Sequence, residues 1–398
     1  MLGLAGPLLW LALLPTLLGA GNPADAAVGG ALGLLGLLFG NTLLARAVAG
    51  GSADRPRFGR RGALWPLLLF PLVLLGGALM LIVGGAALAL LPAAHFFAAL
   101  LPALAVAGLV ARRAGGAPLA TVLAGLTWGG LGATTIALVL EGIFLLLMAL
   151  VVVVGLQLDG GAALESAGEA LAALSTSETP DSMVMALKAL IAIPGVVVAA
   201  FGVFALLGPA VEELAKLGGV VLAAPRSRQG ALLRGVAVGA GFGLVETVLL
   251  GGSAIGAPAG SAGGGPQTAA IAQVGWPALM ALRAVTTAMH AACSGAAALG
   301  WYAMSEQGRW SAGAFRIGLA ILAHGLWNGL ILTVLWSSIR LLGPDAQPMP
   351  DASPFMTALP VIATAALIAL AWSLILGLRT MARRAPERPS APVVALPR

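Results

Sequence analysis

The residues able to perform acid–base or metal chemistry lie in four consecutive apolar segments of the second half of the chain. In order, the segments contain Glu212, Glu213 and Lys216; Glu246; Arg283 and His290; and His324 and Asn328. Ionisable groups within a membrane span are costly and therefore mark candidate functional sites. These residue types can act as general acids or bases, bind a metal ion and donate hydrogen bonds to developing negative charge.

The spacing of these residues favours one shared site. At 1.5 Å per residue, about 12 to 22 Å separate the nearest basic loop from each of Glu212, Glu246, His290 and His324. Glu212 and Lys216 are four residues apart and therefore share a helix face. Lys216 can neutralise one carboxylate of the Glu212–Glu213 pair, which leaves the other as the candidate base. We therefore expect the four segments to converge around one intramembrane cavity.

The ordered set of motifs resembles the PrsW family of intramembrane proteases. The motifs are Glu-Glu-x-x-Lys at 212–216, Gly-Phe-x-x-x-Glu at 241–246, the lone His290 followed by small residues, and His-x-x-x-Asn at 324–328. The resemblance covers about residues 205–335. The family commonly has Asn after the Glu of the second motif, where this chain has Thr247, and some members have Asp where this chain has Asn328.

This resemblance implies an intramembrane protease that acts on membrane-anchored proteins, for example regulatory proteins such as anti-sigma factors. The PrsW family is grouped with CAAX-prenyl endopeptidases and bacteriocin-processing enzymes. Members of this wider group are described both as metalloproteases and as glutamate-dependent endopeptidases. The expected partners are therefore a membrane-anchored protein substrate and the lipid bilayer.

The expected roles follow from residue chemistry. We interpret Glu212, Glu213, His290, His324 and Asn328 as the catalytic set, and Lys216, Glu246 and Arg283 as supporting residues. For Arg283 we expect a salt bridge between helices. If a metal is bound, two histidines and one glutamate match a catalytic three-ligand zinc site, with Glu246, His290 and His324 as tentative ligands. No His-Glu-x-x-His motif occurs, so the sequence does not establish a metal.

The composition places these segments in a membrane. Hydrophobic residues make up 60% of the chain and charged residues only 9%, whereas soluble domains are about 25% charged. We predict an all-α, polytopic integral membrane bundle of about 10, and up to 12, transmembrane helices. The expected spans are approximately 2–20, 27–49, 63–83, 86–110, 117–158, 183–224, 235–252, 276–304, 313–341 and 355–378.

Two of these runs are longer than one crossing. As helices, 117–158 and 183–224 would each extend about 63 Å. Each run is expected to be one tilted helix with an extension beyond the membrane, or two crossings broken near Glu141 and near Gly208-Pro209 respectively.

The arginines predict the orientation in the membrane. Sixteen of the nineteen arginines occur at 55–61, at 112–113, at 226–234, at 309–316 and in the C-terminal tail, whereas the intervening loops carry eight acidic residues and no arginine. Because Arg and Lys remain on the cytoplasmic side, these loops and both termini are expected to be cytoplasmic, in the cell membrane. The net charge of +6 is attributed to these anchors and not to nucleic-acid binding.

Four regions follow from these patterns. Residues 1–182 are expected to form N-terminal transmembrane helices of unassigned role, and 183–342 the PrsW-like core. Residues 343–382 are expected to contain the C-terminal transmembrane helix, and 383–398 a disordered cytoplasmic tail.

Two other functions are compatible with the polar cluster. A proton-coupled transporter would also bury Glu, His and Lys, but its polar residues should extend through both halves of the chain. A non-catalytic membrane scaffold of the same fold, such as the related subunit of gamma-secretase, should lack catalytic groups. His95 is expected to be structural, and the glycines at 235–243 are expected to allow close helix packing, because no strand precedes them as in a nucleotide loop.

Overall fold

The computed structural model describes residues 23–48, 57–58, 64–159, 161–176, 180–252, 255, 266–341 and 353–385. Within these ranges the chain folds into eleven helices. They are α1 (Pro23–Val48), α2 (Trp65–Val83), α3 (Gly85–Arg113), α4 (Leu119–Leu158), α5 (Ala162–Thr176), α6 (Pro180–Ile191), α7 (Pro194–Val221), α8 (Arg228–Gly251), α9 (Pro266–Ser305), α10 (Trp310–Leu341) and α11 (Pro354–Arg384).

Seven helices in the described residues are long and apolar enough to cross a membrane, namely α2, α3, α4, α7, α8, α10 and α11. The predicted helical membrane bundle is therefore confirmed, whereas a count of 10 to 12 spans is not. The expected span at 2–20 lies outside the described residues. The expected span at 276–304 lies within α9, a helix of 40 residues that is not among the seven.

The two long runs differ from each other in structure. α4 continues without a break past Glu141 and contains a π-helical segment at Trp128–Ala133. The run at 183–224 divides between α6 and α7 at residues 192–193, and not at Gly208-Pro209, the break that one of the two expected alternatives gave. Ile193 is extended because Pro194 follows it, and proline disfavours the helical conformation of the preceding residue. Pro209 lies two residues after the end of a second π-helical segment, Gly202–Leu207, and is tolerated there because the wider turn precedes it.

The chain divides into two compact units. The first contains the described parts of Met1–Thr134, Ala215–Ala320 and Leu374–Arg398. The second contains the described parts of Thr135–Leu214 and Ile321–Ser373. The four regions expected from the sequence remain a prediction, and residues 386–398 of the expected tail lie outside the described residues.

Helix α8 forms the centre of the first unit because its glycines permit close approach on two sides. A Cβ atom on Gly239 would lie 2.3 Å from the carbonyl oxygen of His290 in α9. On Gly241 it would lie 2.2 Å from the carbonyl oxygen of Leu126 in α4. Helix backbones approach this closely only where one side chain is absent. The expectation that this glycine row serves helix packing is confirmed, and the packing brings His290 against α8.

His95 is a buried structural residue of the first unit, as expected. Its Nε2 atom lies 2.9 Å from the carbonyl oxygen of Val248, and its Nδ1 atom accepts a hydrogen bond of 3.1 Å from Nε1 of Trp276. Both ring nitrogens therefore have partners, which link α3 to α8 and α9.

Described residues of three arginine-bearing loops are joined in the first unit. Arg57–Phe58 (β1) pairs antiparallel with Ala117–Pro118 (β2), which joins the loops before α2 and α4. Gln229, at the start of α8, donates hydrogen bonds to the carbonyl oxygens of Ala114 and Gly116. That these loops share one side of the membrane stays a prediction.

Candidate functional site

The first unit contains a polar cluster around His290, which consists of Lys216, Glu246, Arg283 and His290 (the His290 cluster). His290 Nδ1 lies 2.9 Å from Lys216 Nζ, and His290 Nε2 lies 2.6 Å from Glu246 Oε2. Arg283 Nη2 approaches the same glutamate oxygen at 2.6 Å. The expected salt bridge of Arg283 between helices is therefore confirmed.

The contacts of His290 assign its proton. A protonated lysine only donates, so Nδ1 of His290 must accept from Lys216. An ionised glutamate only accepts, so Nε2 carries the hydrogen that is donated to Glu246. His290 is thus assigned as a neutral imidazole whose Nδ1 lone pair points toward α7.

Burial strengthens the electrostatic interactions of the His290 cluster. Lys216 is 0% exposed and His290 1%. With Lys216 and Arg283 protonated and Glu246 ionised, these three groups carry one net positive charge. The Phe242 ring lies 3.8 Å from Lys216 Nζ and 5.2 Å from the His290 ring, so it contributes a cation–π contact. The cluster consequently favours an additional anion beside it.

The second unit contains a polar cluster around His324, which consists of Glu212, Glu213, His324 and Asn328 (the His324 cluster). Glu213 Oε1 lies 3.0 Å from His324 Nδ1, and Glu212 Oε2 lies 3.7 Å from His324 Nε2. Because Glu213 accepts, Nδ1 carries the hydrogen and Nε2 presents its lone pair toward Glu212. Two ligand atoms on one tetrahedral zinc ion lie about 3.3 Å apart, from bond lengths near 2.0–2.1 Å. The observed 3.7 Å is close to that spacing.

Helices α7 and α10 position the His324 cluster through a close backbone contact. A Cβ atom on Gly325 would lie 2.4 Å from the carbonyl oxygen of Ala205, so only glycine allows this approach. Asn328 Nδ2 donates a 3.0 Å hydrogen bond to the carbonyl oxygen of Phe204, within the π-helical segment of α7. Such segments interrupt the regular α-helical hydrogen bonding and occur frequently at functional sites. One amide hydrogen of Asn328 is therefore engaged by the backbone.

The metal-ligand set expected from the sequence stays a prediction. Glu212, His290 and His324 are buried residues whose side chains offer atoms able to bind a metal ion. Glu246 contacts His290 and Arg283. Two imidazole nitrogens and one carboxylate oxygen are a donor set that suits zinc.

Two features escaped the sequence-based reasoning. Phe242 contacts both Lys216 and His290, although it is part of the quoted motif and lies one helical turn before Glu246. The π-helical segment of α7 had no visible signal in the sequence. Thr247 stands where the family commonly has Asn. Its hydroxyl donates a 2.5 Å hydrogen bond to the carbonyl oxygen of Gly243 in its own helix.

Comparison with known families agrees with the motifs. The family model described as PrsW family intramembrane metalloprotease matches residues 167–363, about half of the chain. The chain belongs to the PrsW family. The PrsW match extends beyond the motif region at 205–335 and contains all eight expected site residues. Searches among curated proteins and solved structures found no significant match.

Membership of the PrsW family makes this protein a multi-pass membrane protease. The family also indicates a metal, a lipid environment and peptide substrates.

Proposed function

We propose that this PrsW protein hydrolyses membrane-anchored proteins at a metal site formed by Glu212, His290 and His324. The observation that carries the proposal is the pairing of each histidine with a carboxylate. His290 Nε2 contacts Glu246, and His324 Nδ1 contacts Glu213. Metal-binding histidines almost always direct the second ring nitrogen at such a partner, which fixes the tautomer and raises ligand basicity.

The continuous helix α7 supports the union of the two clusters in one site. It carries Glu212 in the His324 cluster and, one helical turn later, Lys216 in the His290 cluster. The net positive charge of the His290 cluster also favours a carboxylate at position 212. We therefore assign Nδ1 of His290, Nε2 of His324 and one oxygen of Glu212 as the metal-binding atoms. A metal at Nδ1 of His290 would replace the hydrogen bond that this atom accepts from Lys216.

The remaining residues have assignable roles in peptide hydrolysis. Zinc, when bound, would polarise the scissile carbonyl and lower the pKa of its water. Glu213 orients His324, and the Glu212–Glu213 pair can accept the proton of the attacking water. The second amide hydrogen of Asn328 can donate to the developing oxyanion. Glu246 and Arg283 hold His290 in place, and Lys216 can stabilise negative charge beside it.

The substrate and orientation form part of the proposal. The arginine pattern favours the cytoplasmic membrane with both termini in the cytoplasm. The polar residues lie nearer the arginine-bearing side in the predicted spans, so cleavage is expected in the cytoplasmic half of the bilayer. A regulatory protein such as a membrane-tethered anti-sigma factor is the favoured substrate class.

A co-expression experiment tests the proposed function. The wild type and its variants would be expressed beside a library of tagged single-span proteins, and fragments would be detected by the tags. Glu212→Ala, Glu213→Ala, His290→Ala and His324→Ala should each abolish detectable cleavage, since loss of a general base typically costs about 10² to 10⁴ in rate. Thr247→Ala is the matched control, because Thr247 bonds only within its own helix.

Two outcomes would contradict the proposal. A fragment that requires the wild-type protein but survives both histidine substitutions would exclude the proposed mechanism. A proton or solute flux that depends on Glu212, without any fragment, would instead favour the transporter.

A further inference from the structure

A cavity of about 480 Å³ lies in the first unit, among helices α2, α3, α9 and α11. Its described lining is apolar except for Arg113 and Arg379. Leu67 and Ile375, which line it, are 46% and 43% exposed, so the cavity opens on the outer surface of this unit. In a membrane protein, such an apolar opening faces lipid chains.

The cavity has the length of one lipid leaflet. Along α3 its lining extends from Leu101 to Arg113, which corresponds to about 18 Å of helix. Half of the hydrocarbon core of a bilayer is about 15 Å thick. One acyl chain can therefore lie along the apolar wall while its headgroup reaches the arginines.

The mouth of the cavity is strongly positive. Arg112, Arg379 and Arg383 are all close enough to Arg113 to interact with its charge. All four are exposed at helix ends, and no salt bridge within the described part of the chain involves Arg113 or Arg379. A guanidinium donates paired hydrogen bonds to phosphate oxygens, and an anion there would relieve the repulsion among the arginines.

We propose that this cavity is a binding site for an anionic phospholipid, whose phosphate contacts Arg113 and Arg379 and whose acyl chain fills the apolar part. Basic pockets between transmembrane helices are suited to such headgroups. The site is separate from the proteolytic one. On α9, Ala284 and Ala288 line the cavity, whereas His290 is directed at α8.

Lipid titration of the purified full-length protein tests this proposal. Delipidated protein in detergent would be titrated with phosphatidylglycerol and with phosphatidylcholine of identical acyl chains, and binding would be followed by native mass spectrometry. Because each arginine contributes about a fivefold factor, the wild type should prefer phosphatidylglycerol by about thirtyfold. Arg113→Gln or Arg379→Gln should reduce the preference to about fivefold, and the double variant should abolish it.

Matched controls separate headgroup recognition from general effects. Arg309→Gln, an exposed arginine outside the cavity, should leave the preference unchanged. Ala284→Phe should weaken the binding of both lipids, because its larger side chain fills the cavity. Ala281→Leu is a second cavity-filling variant, at a position that is already exposed. Thermal unfolding in detergent would confirm that each variant is folded.

Three results would overturn the proposal. Equal affinity of the wild type for the two lipids would exclude headgroup recognition. If the double arginine variant retained the preference for phosphatidylglycerol, Arg113 and Arg379 would not be the residues that recognise the headgroup. Competition by glycerol phosphate at the same concentration as the lipid would identify a phosphate site that needs no acyl chain.

Discussion

At the scale of single residues, the two histidines use opposite ring nitrogens for the same purpose. His290 directs Nε2 at Glu246, and His324 directs Nδ1 at Glu213. The sequence predicts that these residue types occur together, because costly polar groups recur at similar depth in apolar helices. It could not predict which nitrogen pairs with which carboxylate, because that depends on rotamers and helix rotation. Glu246 as a metal ligand stays a prediction; its contacts in the structure are with His290 and Arg283.

Substitution of Glu246 tests that orienting role. Glu246→Ala removes the acceptor of His290 Nε2, so zinc affinity should fall about 10- to 100-fold. Arg283→Ala should have a smaller effect, because Arg283 reaches His290 only through Glu246. Competition with a zinc chelator would measure both affinities. A lower zinc affinity in Arg283→Ala than in Glu246→Ala would contradict the orienting role assigned to Glu246.

His95 provides a structural contrast to the site histidines. His95→Ala leaves Trp276 Nε1 without its acceptor in a buried position, so the free energy of unfolding should fall by about 1–3 kcal/mol. Cleavage per folded molecule should be unchanged. Thermal unfolding in detergent and the fragment assay would measure the two effects. Complete loss of cleavage by a folded variant would place His95 in the reaction.

At the scale of helices, apolar runs predicted most elements but not their irregularities. The runs at 63–83 and 86–110 correspond to α2 and α3, because hydropathy alone defines a helix in lipid. The break at 192–193 was missed, since Pro194 and Pro209 are equally visible in the sequence. The π-helical segment before Pro209 distinguishes them, and no local sequence pattern predicts that segment.

The glycine contact between α8 and α9 gives a test at this scale. In Gly239→Ala the new methyl group would collide with the backbone of His290, so the free energy of unfolding should fall by about 1–3 kcal/mol. Gly318→Ala is the matched control, because a Cβ atom there meets nothing within 4 Å. Its stability should be unchanged or slightly raised. Equal effects of the two substitutions in thermal unfolding would contradict the close packing.

At the scale of the whole molecule, described residues of three arginine-bearing loops are joined in the first unit. The sequence predicted their common side from charge alone, and the β1–β2 pair and Gln229 join them. The division into two units was not predicted. It follows from contacts between helices distant in the chain, whereas hydropathy reports only each helix by itself.

Cysteine labelling in intact cells tests the orientation. The only natural cysteine, Cys293, is buried, so background labelling should be low. A membrane-impermeant thiol reagent should leave Arg228→Cys unmodified and should label Asp159→Cys, because basic loops remain in the cytoplasm. Labelling of both positions after permeabilisation is the control. Labelling at position 228 alone in intact cells would show that the orientation is the opposite of the predicted one.

The central claim, a catalytic metal held by Glu212, His290 and His324, is tested most directly by metal analysis of the purified protein. The wild type, purified without chelators, should contain about one zinc ion per chain. A triple Ala variant of the three ligands that remains folded should contain none, while Thr247→Ala should match the wild type. Removal of the metal should abolish cleavage, and zinc should restore it. A metal-free wild-type preparation that cleaves at the full rate would contradict the account.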